Sequence, residues 1–169
     1  MANMQVRKID SAEGNVSKFV FTKHDAVFEA VLYRYPDFAT RTVICCSTMS
    51  GCPVGCRFCG AGDYFVRRAT AREIVEQVEH CISQTDTDPA SMKRLQIMFM
   101  SMGEPLLNRD GLELAILQLH HLYPAAALLV STIGPRVDYE WLHNISQRVP
   151  TVGLQFSIHA PHARNLTNA

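Results

Sequence analysis

Five of the six cysteines in this chain, Cys45, Cys46, Cys52, Cys56 and Cys59, fall within fifteen residues, and none follows Cys81. A disulfide framework spreads its bridges along the chain and needs an oxidising compartment. A bunch of this kind in a reducing compartment reads instead as metal binding or redox chemistry. The start, Met1-Ala2-Asn3-Met4-Gln5, carries no apolar h-region of a signal peptide. Nor does the sequence contain the run of about 18 apolar residues that a membrane span needs. The expected location is therefore cytoplasmic, with no membrane partner and with thiols kept reduced.

The cysteine bunch needs a scaffold, and at 47% hydrophobic residues the chain has enough apolar side chains to build one. Sixteen Lys and Arg balance sixteen Asp and Glu, which excludes a polybasic arm or tether. A local basic stripe can still hide in that total, and Arg67, Arg68 and Arg72 form one small group that could meet phosphate or simply be a solvated helix start.

Val16–Thr22 and Ala26–Tyr33 are β-rich runs around Lys23-His24-Asp25 and read as a hairpin. Thr42–Thr48 is a short buried strand, and the cysteine loop follows it, with Gly51, Pro53, Gly55, Gly60 and Gly62 keeping it irregular. Thr70 and Glu73 have capping-box spacing before a helix whose face is Ile74, Val78, Cys81 and Ile82. Leu95–Met100 is a continuous apolar run, typical of a strand covered on both faces. A helix over 110–123 opens with Asp110 and Glu113 at capping spacing. Ala127–Val130, a helix over 138–148 with Trp141, and Val152–Ile158 complete the order.

Strands alternating with helices imply parallel strands joined by right-handed crossovers. The fold class is α/β, either a doubly wound sheet or part of a barrel. The organisation expected is a lead and hairpin over 1–40, then a core over 41–169. A barrel of this kind takes about 250 residues. Ending soon after a fourth strand would leave an apolar edge, so the chain reads as part of a longer barrel. The alternative is a complete four-stranded domain whose edge the hairpin covers.

Cys52-x3-Cys56-x2-Cys59 carries the chemistry. Thiolates are soft ligands suited to zinc or iron–sulfur clusters. A structural zinc site and a fully protein-ligated 4Fe–4S cluster both want four ligands, and this loop supplies three. Three ligands leave one iron open to a small molecule. The alternatives are a zinc site completed by Cys45, Cys46 or a His, and a fortuitous group of thiols.

This triplet, with Phe58 before its last cysteine and placed after the first parallel strand, resembles the radical SAM superfamily. The segment 41–52, the run Met102-Gly103-Glu104-Pro105-Leu106-Leu107-Asn108 and the run Ser157-Ile158-His159-Ala160-Pro161 resemble the RlmN/Cfr type of dual-specificity RNA adenine methyltransferases. The fold so implied is a partial parallel (β/α) radical SAM barrel of about four strands behind a small β-hairpin.

The resemblance implies a 4Fe–4S cluster on Cys52, Cys56 and Cys59, with S-adenosylmethionine chelating the open iron. Gly103, Glu104, Ser131, Ser157, Ile158 and His159 match the family's cofactor-binding positions. Cys45, seven residues before the first cluster cysteine, matches the thiol that resolves the covalent RNA adduct. Glu29 on the hairpin resembles the base, two residues farther from Pro36 than the family pattern. The implied substrate is an adenine in ribosomal RNA, or also in transfer RNA, with a reductant such as flavodoxin or ferredoxin as partner. Three departures stand out. No cysteine after Cys81 is present to carry the methyl group. The loop usually read as Gly-Phe-x-Arg-Asn-Leu is Tyr64-Phe65-Val66-Arg67-Arg68-Ala69. Only a short lead precedes the hairpin, where the family has a helical domain. Two other readings remain: a radical SAM enzyme acting on a small molecule or peptide, and a zinc-stabilised binding module without turnover.

Overall fold

A computed structural model describes residues 4–158. Strands β1 (Gln5–Asp10), β2 (Val16–Lys23) and β3 (Ala26–Arg34) form an antiparallel meander. Strand β4 (Thr42–Cys46) pairs antiparallel with β3 on one side. After β4 comes a two-stranded ribbon of β5 (Met49–Gly51) and β6 (Phe65–Arg68), which brackets the cysteine loop. Helix α1 (Ala71–Ser83) leads to β7 (Leu95–Phe99), α2 (Arg109–Leu122) to β8 (Ala127–Thr132), and α3 (Glu140–Arg148) to β9 (Val152–Phe156). The main sheet has the order β1-β2-β3-β4-β7-β8-β9, with β4, β7, β8 and β9 parallel.

Each new parallel strand is added on the same side of its predecessor. Right-handed crossovers then put all the helices on one face of the sheet. A doubly wound sheet reverses its strand order partway, and this one does not. The arrangement is mixed α/β with parallel strands, as in an open segment of a barrel.

The two sheet faces differ as that layout requires. Along β3, Ala26, Phe28, Ala30 and Leu32 are buried, while Val27, Glu29, Val31 and Tyr33 are half-buried. The buried set joins Ile44, Cys46, Ile97, Phe99, Leu128 and Val130 under α1, α2 and α3 in one core. The helices contribute Ile74, Val78 and Cys81, then Leu112, Ile116 and Leu119, then Trp141 and Ile145. The other face carries Val31 directly across from Cys45, followed by Met98, Leu129 and Gly153 on successive strands.

Several sequence expectations shift. Strand β1 escaped notice because all six of its residues are exposed, so it has no alternating buried face. The cysteine loop is not wholly irregular, since its stems pair as β5 and β6. The capping expected of Asp110 and Glu113 is not the one found: Asn108 occupies the N-cap of α2 and makes no side-chain cap. Its amide is spent elsewhere, donating 2.8 Å bonds to Thr48 O and Ala69 O. The α1 capping box is present as expected, with Thr70 and Glu73 each satisfying the other's backbone N–H. The meander pairs beside β4 and so leaves β9 at the far edge among the described residues. There Leu154 and Phe156 are 40% and 58% exposed. No described helix is long and apolar enough to cross a membrane.

Candidate metal centre at the cysteine loop

The loop is anchored before it carries any ligand. Gly51 ends β5 at φ +74, and a Cβ there would collide with the Tyr64 backbone oxygen. Only glycine fits both the angle and the approach. Cys52 N then donates to Tyr64 O at 2.9 Å, closing the loop, and Cys59 N donates to Cys56 O at 3.0 Å inside it. Gln77, fully buried on α1, accepts from Ser47 N at 2.9 Å and donates to Ser47 O at 3.1 Å. The Ser47 hydroxyl donates to Glu29 O, and Ser50 Oγ accepts from Val27 N. The segment leaving β4 is thus held by the Gln77 side chain of α1, by the Asn108 side chain at the N-cap of α2, and by its own serine hydroxyls bonded to the backbone of β3.

The far stem is held by charge. Arg67 forks onto Glu73 through two bonds of 2.9 Å, lies 3.7 Å from Asp25, and covers the Phe28 ring. Arg72 pairs with Glu76 at 2.6 Å. The basic group read as a possible phosphate contact is therefore largely committed to the fold. Burial alone would raise the Glu73 carboxyl, but the Arg67 fork and the Thr70 N–H bring it down to about 2 from the ordinary 4.5. Its folded value lies below its unfolded value, so the ionised group contributes stability above pH 4.5 that is lost as pH falls toward 2. Glu73→Gln should lower stability at neutral pH and flatten the acid dependence in that window. Urea midpoints at pH 7, 4 and 3 measure both, and parallel pH profiles for the two proteins would contradict the assignment.

The three cysteines face one hollow of about 210 Å³. Around it stand Cys52, Cys56, Cys59, Gly103, Glu104, Ser131, Thr132 and Ser157. The ends of three parallel strands, β7, β8 and β9, and the loop beyond β4 therefore converge there, at the end where barrels build their sites. Cys52 and Cys56 are half-buried and Cys59 is exposed. Burial pushes the Cys52 thiol up, and the fields of Cys56, Glu104 and Cys59 add to it. Burial and Cys59 do the same to Cys56. Ionising these thiols together is uphill unless a cation joins them, which is the environment a metal group stabilises. Among the described residues, no three His, Cys, Asp or Glu side chains gather as ligands for one ion. A cluster takes each thiolate on a separate iron, so its ligands need not meet at one point. Among the described residues, no histidine lines the hollow, and neither do Cys45 and Cys46, the cysteines that could have completed a zinc site. The donor set fits a three-thiolate cluster.

Glu104 is 3% exposed and does more than the sequence suggested. Its carboxylate accepts from Thr132 Oγ1 at 2.6 Å, Ile133 N at 3.0 Å and Leu106 N at 3.1 Å. It caps a short 3₁₀ turn, Pro105–Leu107, and ties the end of β7 to the end of β8. Three of its roughly four acceptor positions are filled, leaving about one. Gly103 before it has φ +94, and a Cβ would stand 2.6 Å from the Met49 side chain. Ser131 Oγ donates to Gln155 Oε1 at 3.0 Å beside the hollow.

Other anticipated residues lie elsewhere. Ile158 is 79% exposed and does not line the hollow, while His159 lies outside the described residues. Cys45 is 7% exposed on the sheet face away from the helices, and burial holds its thiol up at about 11. Glu29 shares that face, two residues from the Val31 that opposes Cys45, and pairs with Lys18 at 2.6 Å. Thr132, Gln77 and Asn108 were not anticipated. Gln77 had a signal, a lone amide three residues after Ile74 on an apolar helix face.

The Radical SAM superfamily model matches residues 46–168. The superfamily's cofactors are a 4Fe–4S cluster and S-adenosylmethionine. The chain is 32% identical over 168 residues to a probable dual-specificity RNA methyltransferase RlmN of Fervidobacterium nodosum, covering 96% of this chain and 44% of the relative. The protein of that name from Heliobacterium modesticaldum is 35% identical over 159 residues, with 88% and 40% covered. That from Thermus thermophilus is 35% identical over 163 residues, with 92% and 43% covered. The chain spans under half the length of these curated relatives. With three thiols and three strand ends around one hollow, and with the superfamily match running through both, the chain belongs to the radical SAM superfamily.

Proposed function

We propose that this chain is the cluster-bearing part of an RNA adenine methyltransferase of the RlmN type. The observation that carries the reading is the shared hollow, where Cys52, Cys56 and Cys59 meet Gly103, Glu104, Ser131 and Ser157. Cys52, Cys56 and Cys59 would hold the cluster, which when bound supplies the electron that cleaves S-adenosylmethionine. The backbone at Gly103, the free acceptor position on Glu104 and the hydroxyls of Ser131 and Ser157 would hold the methionine end of that cofactor. Cys45 stands as a neutral thiol until a base takes its proton, and Glu29 is the carboxylate on its face of the sheet. The names of the relatives support RNA as substrate; ribosomal or also transfer RNA as that substrate, and a flavodoxin- or ferredoxin-like reductant as partner, belong to the same proposal.

Titrating the anaerobically reconstituted chain with S-adenosylmethionine tests the reading. Glu104→Ala removes a charged acceptor and should cost about 1.5–3 kcal/mol, or roughly tenfold to a hundredfold in affinity. Ser131→Ala should weaken binding less, and thermal melts of both variants separate loss of contact from loss of fold. Equal affinity in wild type and Glu104→Ala would remove this placement of the cofactor.

A further inference from the structure

At the opposite end of the sheet from the cysteines, three adjacent strands meet on arginine. Arg34 ends β3, Arg41 directly precedes β4 and Arg94 directly precedes β7. The register fixes them as neighbours, because Arg34 pairs with Thr42 and Thr42 pairs with Leu95. Backbone bonds link the same residues: Tyr35 N donates to Arg41 O at 3.0 Å and Thr42 N to Arg94 O at 2.9 Å. Neighbouring strands lie about 4.8 Å apart, so three positive side chains start from roots this close together.

All three arginines line one open hollow of about 680 Å³, together with Asn15, Tyr35 and Thr40. Among the described residues, none of the three takes part in an ion pair with a carboxylate. Asp37 and Asp86 border the next hollow beside Arg34, and Asp37 is occupied by Thr40 N at 2.6 Å. The partners the arginines do have are neutral. Arg34 donates one Nη to Gly14 O at 3.2 Å and lies over the Phe38 ring, while its Nε is buried with no acceptor. Arg41 donates Nε to Gln96 Oε1 at 3.0 Å and lies 5.2 Å from the Tyr35 ring centre, leaving its Nη groups without a partner among the described residues. Tyr35 also stacks on Tyr33, so its ring is occupied. Like charges collected without a counter-charge, with a buried donor unmet, describe a place for an anion. The fork of guanidinium donors matches phosphate oxygens two at a time.

We propose that Arg34, Arg41 and Arg94 form a phosphate-binding site on the end of the sheet remote from the cysteine loop. Its ligand is a phosphate group, carried either by free phosphate or by the backbone of a single RNA strand. The site does not depend on the cluster, so it stands or falls separately from the methyltransferase reading.

The test uses the full chain, Arg94→Gln, and the double variant Arg34→Gln/Arg94→Gln. Arg94 makes no side-chain bond among the described residues, so its variant keeps the fold should the double variant lose it. Thermal melts are run in inorganic phosphate and in chloride of equal ionic strength. Affinity for a fluorescent single-stranded RNA is measured against salt. Phosphate should raise the melting midpoint of the wild type, with the rise reduced in Arg94→Gln and absent in the double variant. The slope of log affinity against log salt should fall by about 0.7 for each phosphate contact removed. Stabilisation lost with the slope unchanged assigns free phosphate; slope lost without phosphate stabilisation assigns the RNA strand. Either result supports the site. Variants that behave as the wild type does in both measurements overturn it.

Discussion

Replacing Cys52, Cys56 and Cys59 together by alanine should leave a folded chain that takes up neither iron nor sulfide under anaerobic reconstitution. The wild type should take up four of each, with the broad visible absorption of a 4Fe–4S cluster. The size of the effect follows from the proposed ligand count: three thiolates would hold three irons, and alanine offers no replacement. Folding should survive because none of these cysteines belongs to the core. The loop is set by groups outside the triplet, namely Gly51, Gln77, Asn108 and the Arg67–Glu73 pair. Cys81→Ala makes the opposite control. That thiol is fully buried in the core under α1, so its loss should lower stability and leave iron uptake intact. Circular dichroism and iron analysis on both variants separate the two cases. Tight zinc with no iron uptake by the wild type would favour a zinc-stabilised module.

The parts legible in the sequence are those where local chemistry and global packing agree. The Thr70–Glu73 capping box, the apolar runs at 42–48 and 95–100, and the cysteine spacing each carry their meaning within a few residues. What stayed hidden is non-local. Gln77 and Asn108 look like ordinary helix residues, and their work is to bind carbonyls 30 and 60 positions away. Arg67 reads as free charge until Glu73, six residues on, is brought round by the α1 N-terminus. Glu104 was legible as an acceptor at a strand end. That Thr132 and Ile133 already occupy it depends on β8 lying beside β7, which no single segment encodes. The arginine row is hidden for a related reason: Arg34, Arg41 and Arg94 become neighbours only through strand register. Strand β1 was missed on different grounds, since a fully exposed strand has no apolar period to detect.

This 169-residue chain should produce no methyladenosine when incubated with reductant, labelled S-adenosylmethionine and unmodified ribosomal RNA. The family resemblance requires a methyl-carrying thiol that is not a cluster ligand and that faces Cys45 across the mouth of the site. With Cys45 and the three loop cysteines in the roles proposed for them, Cys46 and Cys81 remain. Cys46 follows Cys45 on β4, so its side chain turns to the other face of the sheet. It is fully buried in the helix-side core, with Sγ 3.7 Å from Met98 O. Cys81 is equally buried on α1 in the same core. Burial pushes both thiols well above their ordinary value, so neither forms a thiolate near neutral pH. To present a methylated sulfur to the hollow, either side chain would have to leave a close-packed interior and open a cavity behind it. On the proposed placement, cleavage of S-adenosylmethionine would need only the loop and the strand ends, so methionine release under a strong reductant should persist while RNA transfer stays at background. Nucleoside analysis reads the transfer and methionine release reads the cleavage. Methyladenosine above the no-enzyme control would mean that Cys46 or Cys81 reaches the site, and would overturn both the burial argument and the role given to Cys45.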